Sequence, residues 1–186
     1  MADPHPLRAD AARNRARVLA VAYDSFAAEG LSVSLDEIAR RAGVGPGTVH
    51  RHFPAKGDLV SAVIRERLAS VVGEGRRLLE SDGGAALFAF VRLMVLQWGT
   101  ADRGLSDALA ASGSDVDAVI PEAMDTFLDM LGALLDAAQR DGVARSDVDA
   151  RGVKALLVGC QATREFEPGR AAQLLDVVID GLRAPT

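Results

Sequence analysis

The stretch from Ser34 to Lys56, SLDEIARRAGVGPGTVHRHFPAK, constrains this chain more than any other. Ser34 is a good helix N-cap, and Glu37 can return its carboxylate to the Ser34 backbone N–H as a capping box. Leu35, Ile38, Ala39 and Ala42 fall at i, i+3, i+4 and i+7, the buried stripe of an amphipathic helix. Gly43 stands where a helix ends in a left-handed residue, and Val44 is an apolar plug behind it. Gly45 and Pro46 start a second helix, since proline at the first helical position gives up no hydrogen bond. Pro54 ends that helix near His52, because the residue before a proline is pushed away from helical angles. Two short helices joined by a tight Gly-containing turn make a helix-turn-helix.

The second helix carries Thr48, His50, Arg51 and His52 on its surface, with Lys56 just beyond. Hydroxyl, imidazole, guanidinium and ammonium donors at that spacing suit a phosphate backbone. The stretch resembles the DNA-binding segment of the tetracycline-repressor (TetR) family of one-component regulators. The matching residues are Ser34, Ile38, Ala39, Ala42-Gly43-Val44, Gly47-Thr48-Val49, His52-Phe53, Lys56 and Leu59. They cover only the first third of the chain, but many positions agree in one frame. On this reading Ser34, Gly47, Thr48, His50, Arg51, His52 and Lys56 face the duplex.

The chain also departs from the family's pattern. Gly45 and Pro46 stand where Ser and a basic residue are usual, so one phosphate or base contact is lost. His50 replaces a frequent Tyr that reaches a phosphate, and Arg51 replaces an aromatic and is free to read guanine or hold phosphate. Asp36 stands where a basic, base-reading residue is common. These departures bear on the operator sequence rather than on DNA binding itself.

Charge is distributed to match. The net charge is −5, yet residues 1–56 carry eight Lys/Arg against six Asp/Glu and the remainder 13 against 20. A mildly basic head on an acidic body fits a localised nucleic-acid footprint. The single Cys excludes an intramolecular disulfide and suggests a reducing compartment. No apolar signal region precedes Arg13, and Arg92 and Gln97 interrupt the apolar run at 83–101, so a buried helix is expected there rather than a membrane span. A cytoplasmic protein with no membrane partner follows.

Along the chain, residues 1–8 are expected to be disordered and a helix to run from about Asp10 to Glu29, with Leu19, Ala22, Tyr23 and Phe26 buried. Arg13, Arg15 and Arg17 either form a solvated helix end or, as in some relatives, reach DNA. A helix from Lys56 to about Leu79 has a weak cap in Ala55, and Gly73 and Gly75 mark a kink or an early end. Gly83-Gly84 is a break. Further helices are expected at about 85–100, 101–111, 121–142, 148–163 and 170–183, with a loop at 112–117 and a turn at 165–169. No strand-like alternation and no repeat appear. The fold class is all-α, with an N-terminal helix-turn-helix three-helix domain (1–55) and a helical-bundle ligand-binding and dimerisation domain (56–186).

Catalytic and metal chemistry find no support. His5, His50 and His52 lie far from any Cys or paired carboxylate at ligand spacing, so no metal and no cofactor is expected. Cys160 on a helical stripe reads as a small core residue, and no G-x-S-x-G elbow is present. Arg92 in an apolar helix must pair, reach water or await an anion, and pairing with a carboxylate is expected.

The leading reading is a ligand-responsive repressor that binds a palindromic operator as a homodimer and is released by a small-molecule effector. Leu68, Met94, Gln97, Trp98, Phe127 and Met130 are the candidate effector lining, though several suit plain core equally. Leu157, Leu174, Leu175, Val178, Ile179 and Leu182 are the candidate dimer face, since the last helix carries more apolar stripe than one core uses. The alternatives are a DNA-binding regulator without a small-molecule ligand and an enzyme on a helical scaffold, which would need a polar catalytic cluster in residues 85–186.

Overall fold

The computed structural model describes residues 4–98, 105, 108, 109 and 120–185. They are almost entirely helical, with one isolated antiparallel bridge between Ala144 and Arg183. The helices are α1 (Pro4–Glu29), α2 (Leu35–Ala42), α3 (Pro46–His52), α4 (Lys56–Asp82), α5 (Ala86–Leu93), α6 (Pro121–Arg140), α7 (Ala150–Phe166) and α8 (Ala171–Leu182). Two compact units result: residues 1–67 with 101–120, and residues 68–100 with 121–186. The division expected at 55/56 coincides with the start of α4, whose residues 56–67 belong to the first unit.

In the first unit most of the expected stripes are buried, while Leu35 of α2 is half-buried. Leu19, Ala22 and Phe26 of α1, Ile38, Ala39 and Ala42 of α2, Val49 of α3 and Phe53 are buried. Tyr23 is half-buried, with the Arg67 guanidinium 5.7 Å from its ring centroid. α1 begins at Pro4, six residues before the expected start at Asp10, which replaces the disordered tail expected for residues 4–8. The start of α4 is better held than Ala55 alone suggests, because Asp58 Oδ2 accepts from the Ala55 N–H at 2.9 Å. The carboxylate at the third helical position thus satisfies the cap residue's own N–H, the half of a capping box that does not depend on the Ala55 side chain.

In the second unit α4 runs through Gly73 and Gly75 to Asp82 without ending early. Gly75 is there for space: a Cβ would lie 2.2 Å from Met130 Sδ of α6. Gly84 answers to a similar demand, since its N–H donates to Asp141 Oδ2 at 3.0 Å and a Cβ would lie 2.4 Å from that oxygen. α5 gives way at Met94–Trp98 to a π-helix, where one long α-helix to Thr100 was expected. The Val95 carbonyl there accepts from Arg164 Nη1 of α7 at 2.8 Å. Arg92 does pair with a carboxylate, Asp176 Oδ1 of α8 at 2.5 Å, but on the surface rather than in a core. Asp149 caps α7 by accepting from the Gly152 N–H at 2.7 Å. The helix and loop expected at 101–111 and 112–117 lie outside the described residues apart from 105, 108 and 109, of which Leu105 and Leu109 are buried.

Candidate DNA-binding interface

The frame of the site is built locally. Ser34 Oγ accepts from the Glu37 N–H at 3.2 Å, which starts α2. Gly43 ends it at φ 63°, where only glycine sits without a steric penalty, while the Val44 N–H returns to the Ala39 carbonyl at 3.0 Å. Gly45 then opens α3, its carbonyl accepting from the Thr48 N–H at 2.9 Å. Buried Val49 and Phe53 tie α3 to the core. Gly47, His50, Arg51 and His52 are left exposed, as is Ser34, and Thr48 and Lys56 are half-buried. The helix-turn-helix residues named from the sequence are thus brought onto α3 and its flanks, with Ser34 engaged as a cap.

The electrostatics sort the arginines. The second half of the expected capping box does not form, because the Glu37 carboxylate is taken by Arg40 Nε (2.8 Å) and Arg41 Nε (2.7 Å) instead. Two charge-assisted partners outbid one backbone N–H, and they hold the Glu37 carboxyl at about 2. Arg41 also binds Glu29, whose carboxyl is lowered by that bond, and reaches the buried Ser25 Oγ at 3.1 Å. Arg13 pairs with Asp10. These three arginines are therefore engaged with carboxylates. Arg51 and Lys56 have no carboxylate partner among the described residues. Arg17 bonds the Asn14 side chain at 2.5 Å, and Arg15 lies 5.9 Å above the Phe53 ring, which brings α1 charge beside the end of α3. His50 Nε2 is 2.9 Å from Asp36 Oδ1. Arg51 on α3 and Lys56 at the start of α4 thus keep cations without a carboxylate partner among the described residues, with Arg15 and Arg17 of α1 on the same unit.

The arrangement of helices and charge has known counterparts. Residues 18–63 match the family described as "Bacterial regulatory proteins, tetR family", and residues 82–184, more than half of the chain, match "Transcriptional regulator SbtR-like, C-terminal domain". The chain belongs to the TetR family of transcriptional regulators. A TetR transcription regulatory protein from Mycobacterium vanbaalenii shares 54% identity over 96% of this chain and 100% of its own, with a TM-score of 0.78. The TetR transcriptional regulator SCO0520 from Streptomyces coelicolor shares 37% over 92% and 99%, with a TM-score of 0.73. The HTH-type transcriptional repressor KstR2 of Rhodococcus jostii is 29% identical over 92% of each chain. This TetR-family chain is accordingly a regulator and not an enzyme.

The other residues singled out from the regulator's sequence lie in the second unit. Met94, Phe127 and Met130 are buried, Leu68 is half-buried and Gln97 is exposed; the Trp98 side chain lies outside the described residues. An open trough of about 800 Å³ is lined instead by Asp125, Asp129 and Asp136 of α6 with Asp149 and Arg151 at the start of α7. A void of about 20 Å³ lies between Val95, Cys160, Leu174 and Val178. Neither is lined by the six candidate effector residues. Of the candidate dimer residues, Leu157, Leu175, Ile179 and Leu182 are already buried within the single chain, and Leu174 and Val178 are half-buried. The large apolar residues left exposed on these helices are Leu156, Val158, Phe166 and Val177. Burial raises the Cys160 thiol above its usual range, in keeping with a core residue. Among the described residues no helix is long and apolar enough to cross a membrane, and no cluster of metal-ligating side chains occurs.

Sequence reasoning missed three partners: Asp58 for Ala55, Asp36 for His50 and Phe53 for Arg15. The first had a local signal, an acid three residues into the helix. The other two join residues 14 and 38 positions apart, for which helical periodicity carries no information.

Proposed function

We propose that this chain is a repressor that binds a palindromic operator as a homodimer and leaves it when a small-molecule effector binds. Residues 1–55 supply DNA binding and residues 56–186 regulation and dimerisation, in the cytoplasm where the operator is. The observation that carries this reading is the exposed α3 surface, on which Arg51 and His52, with Lys56 just beyond, have no carboxylate partner among the described residues, in a chain of the TetR family. Family resemblance supports the dimer and the effector. α4 starts at the helix-turn-helix and continues into the second unit, so a ligand that favours a conformation of α4 with lower DNA affinity weakens DNA binding, and DNA then weakens ligand binding by the same factor. Met94, Phe127 and Met130 are the residues that would part for an apolar effector.

Titration of operator DNA at several salt concentrations tests the DNA side. Lys56→Ala should weaken binding to all sequences and lower the salt slope by about one. Arg51→Ala should also change sequence preference. Unchanged binding by both variants would remove the assignment. A second reading, a DNA-binding regulator without a small-molecule ligand, is favoured by the burial of those three core residues; a screen of apolar ligands by thermal shift and by release from DNA separates the two.

A further inference from the structure

Asp36 is an odd residue for a surface that meets phosphates. It lies in the first turn of α2 with 71% of its side chain exposed, and Glu37 beside it already supplies an acid to that helix end. Instead of bonding within α2, its Oδ1 meets His50 Nε2 on α3 at 2.9 Å. A carboxylate only accepts, so Nε2 is the donor in this pair. Among the described residues Oδ2 has no partner.

The pair has a consequence once α3 approaches a duplex. Asp36 is carried there with His50, Arg51 and His52, because it is bonded to the same turn of α3. Phosphates repel it. The groups on a duplex that can donate to a carboxylate are base amino groups, and in the major groove these are cytosine N4 and adenine N6. Adenine sets the N7 acceptor beside its amino group, which repels the second carboxylate oxygen, whereas cytosine has no such acceptor on its own ring edge. A carboxylate therefore favours cytosine. His50 holds one oxygen in place and leaves the other available, so little side-chain freedom is lost on contact.

We propose that Asp36, positioned by His50, is a specificity-determining residue that accepts a hydrogen bond from a cytosine amino group in each operator half-site. The inference rests on the reading of the chain as an operator-binding repressor. The test is selection of sites from a random double-stranded DNA pool by the full chain and by Asp36→Asn, Asp36→Ala and His50→Phe, followed by affinity measurements on the selected site and on mixed-sequence DNA.

Wild type should select a two-fold symmetric site with cytosine at one fixed position per half. Changing that cytosine should weaken wild-type binding by about 5- to 150-fold. Both Asp36 variants should lose the preference while binding mixed-sequence DNA more tightly, since a negative charge is gone. His50→Phe should blunt the cytosine preference without installing another base, an effect that a purely structural contact would not have. Asp36 variants that select the same site with the same discrimination would overturn the inference and leave the repressor reading intact. Adenine at the position lost in the variants would also overturn it. A wild type that selects no site would overturn the repressor reading and this inference together.

Discussion

Glu37 and Asp36 are adjacent acids with different roles, and the difference lies in what each reaches. Glu37 turns to Arg40 and Arg41 and holds α2 to the end of α1 through Arg41 and Glu29. Asp36 turns to His50 on the proposed DNA face. The first cluster makes a prediction about acid. Glu37 has its folded value lowered from 4.5 to about 2 by its two arginine partners. A carboxyl whose folded value is depressed adds stability that is present above the unfolded value and is lost as pH falls through the folded one. Wild type should therefore melt above Glu37→Gln by an amount on the order of a few °C at pH 6, since all three side chains are solvent-accessible. That gap should shrink between about pH 4.5 and pH 2 and vanish below. Melts by circular dichroism across that range check it, and a gap independent of pH would contradict the assignment of the cluster.

At the scale of elements, α4 carries two glycines two residues apart in unlike surroundings. Gly73 is exposed with nothing within 4 Å of a Cβ, whereas Gly75 is buried and a Cβ there would clash with Met130 Sδ. Gly73→Ala should gain about 0.5–1 kcal/mol, the helix-propensity difference. At Gly75 the same gain is opposed by overpacking against Met130, which is itself buried and has little room to move. Gly75→Ala should therefore lose about 1 kcal/mol net. Denaturant unfolding of the two variants checks the opposite signs; a stabilised Gly75→Ala would show that α4 and α6 part easily. The π segment after α5 has its own tie, since Arg164 of α7 satisfies the Val95 carbonyl.

For the whole molecule, the proposed dimer turns on which side of α7 and α8 is left uncovered. Val158 is 56% exposed and Val177 66%, while Leu157 and Leu175 are 4% and 2% exposed within one chain. Val177→Glu should give a folded monomer with weakened operator binding, because an isologous interface meets the same charge twice. Leu175→Glu should fail to fold, because it buries a charge without a partner. Light scattering with circular dichroism distinguishes the two. A wild type that is monomeric at micromolar concentration would remove the dimer from the proposal.

The sequence alone determined what depends on residues within about four positions of one another. Ser34, Gly43, Pro46 and Pro54 set the limits of α2 and α3, because capping, left-handed backbone and the missing proline N–H act locally. The buried stripe of α2 was legible because it has only one apolar side. Where a helix is apolar on more than one side, the 3.6-residue period fixes spacing but not direction. This is why Leu157, Leu175, Ile179 and Leu182, read as a dimer face, pack the core while Val158 and Val177 face outward. Only tertiary structure decided those directions, along with the pairs made across the chain: Gly75 with Met130, Arg92 with Asp176, and Asp36 with His50. Such pairs arise from helices packing at a particular rotation, and that rotation is a property of the whole core rather than of any one segment.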